Sequence, residues 1–412
     1  MMPQHDCPIQ HNATLEATLC PAPSEVSQIT TLDYLEKLLA FDTTSAHPNA
    51  DLIAWVQAQL VAMGANVQII ENAEGSKANL FATIGPGDRG GVMLSGHTDV
   101  VPVAGQIWTV PAFAMTRKDG KVYGRGSADM KGFVAAMLSA ARKAAGQNLR
   151  TPLHLALSYD EKIGCIGVRS MIDMLSAAPH LPLMCVVGEP TGLAVATGHK
   201  GKMAARARFT GRAGHSALAP FAVNALYLAN DFITVLRDVQ ADLQASGGQD
   251  ADYDVPYTTL HVGRISGGGA LNIMPHHCEL DFEIRNLAQD DPQEILQKLK
   301  LAAQQIADTA RTDAPEASVE IEVFNTYPGL DTPPGAAVVG FVKFLTGANG
   351  SYKVAYGTEG GLFNQRLGVP TVVCGPGDMA QGHKPDEFVS KAQLTACDVM
   401  LSNLVARLVE GV

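Results

Sequence analysis

Short apolar runs, rich in Val and Leu, recur along this chain. Most of them end in a loop fenced by Gly or Pro that carries a carboxylate or a histidine. The loops are Ser-Gly-His97-Thr-Asp99-Val-Val-Pro, Gly-Arg-Gly-Ser-Ala-Asp129-Met-Lys-Gly, Ser-Tyr-Asp160-Glu161-Lys162, Val-Val-Gly-Glu189-Pro-Thr and Gly-Pro-Gly-Asp-Met-Ala-Gln-Gly-His383-Lys-Pro. A buried strand followed by a turn that presents a polar side chain is how α/β folds expose their chemistry. The pattern thus constrains fold and site together, toward a carboxylate-rich metal hydrolase centre assembled past the ends of strands.

Apolar spacing predicts two helices at the start, over 29–41 and 49–63, then strands over 67–70, 79–84 and 91–94. A helix over 132–145 and strands over 153–158 and 184–187 follow, and this alternation implies a largely parallel sheet with helices on both faces. Near Thr197 the character changes. Strand-like alternation over 199–210, a long helix from about Ala222, strands over 257–266 and 278–285 and a helix over 292–309 give a β-α-β-β-α order. That is a small α+β module with a one-sided sheet, which residues 319–323 complete or leave. The α/β pattern returns with 371–374 and a C-terminal helix over 391–409, so the module is expected to be inserted: 28–196 and 314–412 form the main domain and 197–313 the insert. Residues 1–27 are expected to be a poorly ordered extension.

At 412 residues the chain is too long for one core. A net charge of −11 argues against a nucleic-acid partner. No apolar run approaches the ~18–20 residues that span a bilayer, and no secretory signal pattern opens the chain. Seven scattered cysteines without a CxxC pair fit reduced thiols and a cytoplasmic location.

His97 and Asp99 stand two apart at a strand end, so their side chains share a face. Histidine nitrogen suits zinc, and the neighbouring carboxylate can fix the ring as its supporting partner. Asp129 can bridge two ions with its two oxygens, or cap the helix that follows it. Glu189 ends a buried strand, where a carboxylate needs a partner. Asp160 and Glu161 are adjacent and point different ways; a glutamate beside an activated water is a suitable general base. His383, taken alone, reads as a surface histidine.

Together these segments resemble the M20 family of metallopeptidases and deacylases, in its acetylornithine deacetylase and succinyl-diaminopimelate desuccinylase branch, from about residue 30 to 410. The resemblance implies a zinc-exopeptidase-like catalytic domain with a mostly parallel sheet and an inserted ferredoxin-like dimerisation domain. It implies His97, Asp129 and Glu189 as ligands of one zinc ion, Asp129 as bridge, and His383 as a ligand of a second. It further implies Asp99 as the carboxylate orienting His97, Glu161 as general base, and His215 as an oxyanion-stabilising group that reaches across a homodimer. Asn272 and Arg285 resemble the group that grips a substrate carboxylate, a task that suits arginine's planar fork. Glu359 is a candidate partner for a cationic substrate side chain, or a supporting acid. The implied reaction is hydrolysis of a small N-acyl amino acid, N-acetylornithine first, in arginine biosynthesis. Zinc is the expected ion, one or two per chain, with cobalt able to substitute. The alternatives are another deacylase or dipeptidase of the family, or a silent binding homologue.

One position departs from the family. Its members read Asp-Glu-Glu where this chain has Asp160-Glu161-Lys162, and the missing glutamate is a ligand of the second ion. A lysine ammonium cannot coordinate zinc and repels a cation. The expected outcomes are a weak or empty second site, or a lysine that is deprotonated or carbamylated.

Overall fold

The computed structural model describes residues 29–412, so the extension expected over 1–27 lies outside the described residues. Its largest element is a nine-stranded sheet. Four strands form the centre, in the order Leu153–Ser158, Val92–His97, Met184–Val187 and Thr371–Val373. All four run parallel, with His97 level with Ser158, Ser95 with Val187 and Val187 with Val373. Antiparallel strands Asn66–Glu71 and Ala78–Ile84 extend one side. Val195–His199 extends the other and pairs with Leu330–Asp331 and Ser351–Val354.

Every residue of the four central strands is buried, because both faces are covered. Val92, Leu94, Leu153, Leu155 and Val186 pack on the side of helices Thr31–Leu39, Ala50–Ala62, Lys131–Ala145 and Lys391–Glu410. Their alternates Met93, Ala156, Cys185, Val187 and Val373 pack on the side of helices Val168–Ser176 and Gly360–Leu367. This two-sided burial explains why the strands read as continuous apolar runs. Helix Lys131–Ala145 lies close against the sheet: a Cβ on Gly188 would fall 1.8 Å from Phe133 Cδ1. Gly188 is therefore the only residue type that fits just before Glu189.

The second sheet has four antiparallel strands in the order Thr259–Gly267, His277–Arg285, Lys202–Thr210 and Ser318–Tyr327. Helices Ala225–Ser246 and Pro292–Arg311 cover one face, over Met203, Ala205, Ala207 and Phe209. The other face carries crossing charge pairs, Arg206 with Asp281 at 2.6 Å and Arg208 with Glu322 at 2.7 Å. Chain order is β-α-β-β-α-β, the ferredoxin-like arrangement.

Two expectations are corrected here. Val195–His199 belongs to the large sheet and Ser318–Tyr327 to the small one, so limits at 197 and 313 cut one strand and precede another. The polar-apolar alternation runs through the break at Lys200-Gly201, which hides the change of sheet. In addition, the homodimer that the resemblance implies would set 204–210 at the edge of a sheet continued across a two-fold axis, whereas the strand is central and paired on both sides. The edges are Thr259–Gly267 and Ser318–Tyr327.

Candidate active site

Parallel central strands place their C-terminal ends along one rim, and the candidate residues follow those ends. His97 closes its strand, Glu161 comes three residues after Ser158, and Glu189 two after Val187. Asp129 and His383 arrive by another route. A three-stranded sheet pairs Phe388–Ser390 with Lys121–Tyr123 and draws the 383–387 segment against the 124–129 loop. Buried Glu387 fastens the two. Its Oε1 accepts from the backbone N–H groups of Gly126, Ala128 and Asp129 at 3.0–3.1 Å, and its Oε2 meets Arg125 Nη1 at 2.6 Å.

The carboxylates converge on His97, which is buried. Its Nε2 lies 2.9 Å from Asp129 Oδ1, 3.4 Å from Glu189 Oε1 and 4.0 Å from Glu161 Oε2. His383 Nε2 lies 2.9 Å from the other oxygen of Asp129. Asp129 caps nothing: the helix after it has Met130 at its N-cap without a side-chain bond. Asp160 turns away to pair with Lys77 at 2.6 Å, leaving Glu161 alone to face the cluster.

Asp99 acts differently from expectation. His97 Nδ1 is held by the backbone carbonyl of Asp99 at 2.8 Å, while the carboxylate is 3.7 Å away. That carboxylate accepts from Ser45 Oγ at 2.7 Å and from the backbone N–H groups of Glu161 and Lys162 at 3.1 Å. It therefore clamps the loop bearing the candidate base to the loop bearing His97.

His97, Glu161 and Glu189 offer ligand atoms within 4.8 Å of one another, and Asp129 Oδ1 lies beside His97 Nε2 at 2.9 Å. Glu189 Oε2 is buried with no hydrogen-bond partner among the described residues, an unmet demand for positive charge. Ligand atoms about 2.0–2.2 Å from a tetrahedral zinc ion stand roughly 3.3 Å apart, close to the His97–Glu189 spacing. One histidine, two carboxylates and a free position make a catalytic donor set.

Lys162 points into the same cluster. Its Nζ lies 2.8 Å from Asp129 Oδ1 and 2.9 Å from Glu161 Oε2. Burial opposes the ammonium, but the carboxylates of Asp129 and Glu161 hold its pKa well above the usual lysine range.

A cavity of about 220 Å³ opens beside these groups, lined by Glu161, Lys162, Glu189 and His383 together with Lys202, Arg285, Tyr327 and Tyr356. Arg285 is braced by Glu283 at 2.9 Å and donates to the Tyr327 hydroxyl at 3.1 Å. Asn272 and His215 are not there. Both are exposed on the small module, held together by a bridge between His215 and Ile273. Glu359 is not in the cavity either. It is buried behind the strands, accepting from Ser158 Oγ and, at 3.3 Å, from Ser95 Oγ. It faces these two hydroxyls and not the cavity lining. Sequence reading missed Lys202, Tyr327 and Glu387. Of these, Glu387 stands near a quoted motif, two residues past the His383-Lys-Pro segment.

Burial, more than the nearby Glu161 charge, pushes the Glu359 carboxyl up to about 8 from 4.5. A folded-state pKa above the ordinary value gives stability that is full below about pH 4.5 and is lost as pH rises toward 8. Glu359→Gln is expected to remove that slope, about 2–4 kcal/mol across the window in metal-free protein. Urea unfolding at a series of pH values checks this; an unchanged slope would contradict it.

No helix among the described residues is long and apolar enough to cross a membrane. The sequence pattern of Peptidase family M20/M25/M40 matches residues 93–407. The chain is 34% identical over 391 residues to an acetylornithine deacetylase of Myxococcus xanthus, covering 92% of this chain and 97% of that relative. In fold it is similar to an M20 family metallo-carboxypeptidase of Sulfolobus solfataricus, with a TM-score of 0.75 at 18% identity, covering 92% of this chain and 99% of the other. It is also similar to a dinuclear metal-binding M20 peptidase of Bacillus subtilis, with a TM-score of 0.64 at 14% identity over 93% and 98% of the two chains. The chain belongs to peptidase family M20/M25/M40 and is a metal-dependent amidohydrolase.

Proposed function

We propose that this chain is a zinc-dependent deacetylase that converts N-acetylornithine to ornithine and acetate, in the cytoplasm and in arginine biosynthesis. The observation that carries the reading is one cavity lined both by the carboxylates Glu161 and Glu189 and by the cations Arg285 and Lys202. The relative from Myxococcus xanthus supports the choice of acyl amino acid.

His97, Asp129 and Glu189 would hold the ion, which when bound supplies Lewis-acid polarisation of the acyl carbonyl and acidifies water. Arg285 meets the α-carboxylate through Nη1, because its Nε and Nη2 donate to the two oxygens of Glu283. Lys202 adds a second positive charge to the same cavity. Glu161 takes a proton from the attacking water and delivers it to the leaving amine. Asp99 keeps Glu161 in register through its backbone N–H.

The oxyanion partner is His215 of a second copy, with Asn272 beside it. The apolar side chains around that tip support pairing: Leu271, Phe221 and Tyr227 are 101%, 77% and 69% exposed, more than a solvent-facing module needs.

The test is amine release from N-acetylornithine, against N-acetylmethionine and N-succinyl-diaminopimelate, with zinc present. Preference for N-acetylornithine by an order of magnitude or more in kcat/KM is expected. Preference for either competitor would overturn the substrate. The same assay over a dilution series tests His215, since a monomer that stays fully active would contradict its role across the dimer.

A further inference from the structure

The second metal position of the family pattern does not fit this chain. Two of its residues are in place, Asp129 and His383, with Nε2 2.9 Å from Oδ2. Where a third ligand is expected stands Lys162, whose Nζ lies 2.8 Å from Asp129 Oδ1 and 2.9 Å from Glu161 Oε2. At these distances the ammonium donates a hydrogen bond to each carboxylate. It offers no lone pair to an ion.

We propose that Lys162 is a tethered cation standing in for the second metal ion, so that the working centre holds one ion and one ammonium. Charge counting supports this. Asp129, Glu161 and Glu189 bring three negative charges, which one divalent ion and one ammonium neutralise. A glutamate at 162 would bring a fourth negative charge, and two divalent ions would then balance the set. Burial agrees with the count. His97, on the side of the retained ion, has a side chain 0% exposed, whereas His383 is 50% exposed. The loop is also fixed, because Asp99 holds the backbone N–H of both Glu161 and Lys162. The ammonium is thus a positioning group. It sets the direction of Glu161 and donates to Asp129 Oδ1, the oxygen that also faces His97 Nε2, while Oδ2 faces His383.

This inference rests on the metal-dependent reading of the site. The test strips the full chain with a chelator, reloads it with Zn²⁺ or Co²⁺, and measures ions per chain by plasma mass spectrometry and calorimetry. One tightly held ion is expected in the wild type. Lys162→Glu should raise this to two, and the cobalt form should then show a spin-coupled pair by electron paramagnetic resonance. Adding His383→Ala to Lys162→Glu should return the count to one, while His383→Ala alone should leave it at one. Two tight ions in the wild type, or a carbamate on Lys162 in the intact mass, would overturn the proposal. So would a Lys162→Glu chain with a native circular dichroism spectrum that still takes one ion. A wild type that binds no ion and hydrolyses none of the three substrates would instead overturn the functional reading beneath it.

Discussion

Glu161→Gln is expected to lower kcat by about 100- to 10,000-fold while ions per chain stay at the wild-type value. Glutamine keeps the shape of the side chain and cannot accept or return the proton. Glu161 is the carboxylate whose position allows this role: it is buried, lies 4.0 Å from His97 Nε2, and lines the same cavity as Arg285. Its Oε2 faces the Lys162 ammonium. His97, Glu161 and Glu189 also offer ligand atoms within 4.8 Å of one another, so Glu161 is a geometric candidate for a ligand as well. The paired measurement separates the two roles. Loss of turnover with metal retained marks the base, and loss of both marks a ligand. Substantial turnover in the variant would sink the assignment.

Glu387→Ala should cost about 3–5 kcal/mol of stability, because it leaves the buried guanidinium of Arg125 uncompensated. Three backbone N–H groups, of Gly126, Ala128 and Asp129, lose their acceptor in the same step. The loop that presents Asp129 would loosen, and ion affinity should fall with it. Replacing Arg125 and Glu387 together by apolar residues should cost less than the single change, since no unpaired charge remains. Urea unfolding of the three proteins decides this. A single-variant loss under about 1 kcal/mol would show that the pair is not what fastens the loop.

Fixed apolar periods made the strands legible. The runs at 153–158 and 184–187 are continuous because both faces of the sheet are covered, and their bounds are readable from sequence to the residue. Helices Val168–Ser176, Ala337–Thr346 and Gly360–Leu367 were not legible. They are short and sit among glycines and polar residues, and tertiary packing rather than local propensity holds them.

The sequence by itself pointed to His97, Glu161 and Glu189, because each sits at or just past a strand end where backbone geometry leaves little choice. It also determined that Lys162 breaks the acidic pattern. Only the tertiary structure decided what those groups touch. It placed the Lys162 ammonium between Asp129 and Glu161, and turned the Asp99 carboxylate onto the 161–162 backbone. It put Glu359 behind the sheet, and left His215 and Asn272 on an exposed tip of the small module. These contacts join residues up to hundreds of positions apart, as in Asp129 with His383 and Glu387 with Arg125. Periodicity and spacing report only the local chain, whereas such pairings depend on how the sheets and loops pack in three dimensions.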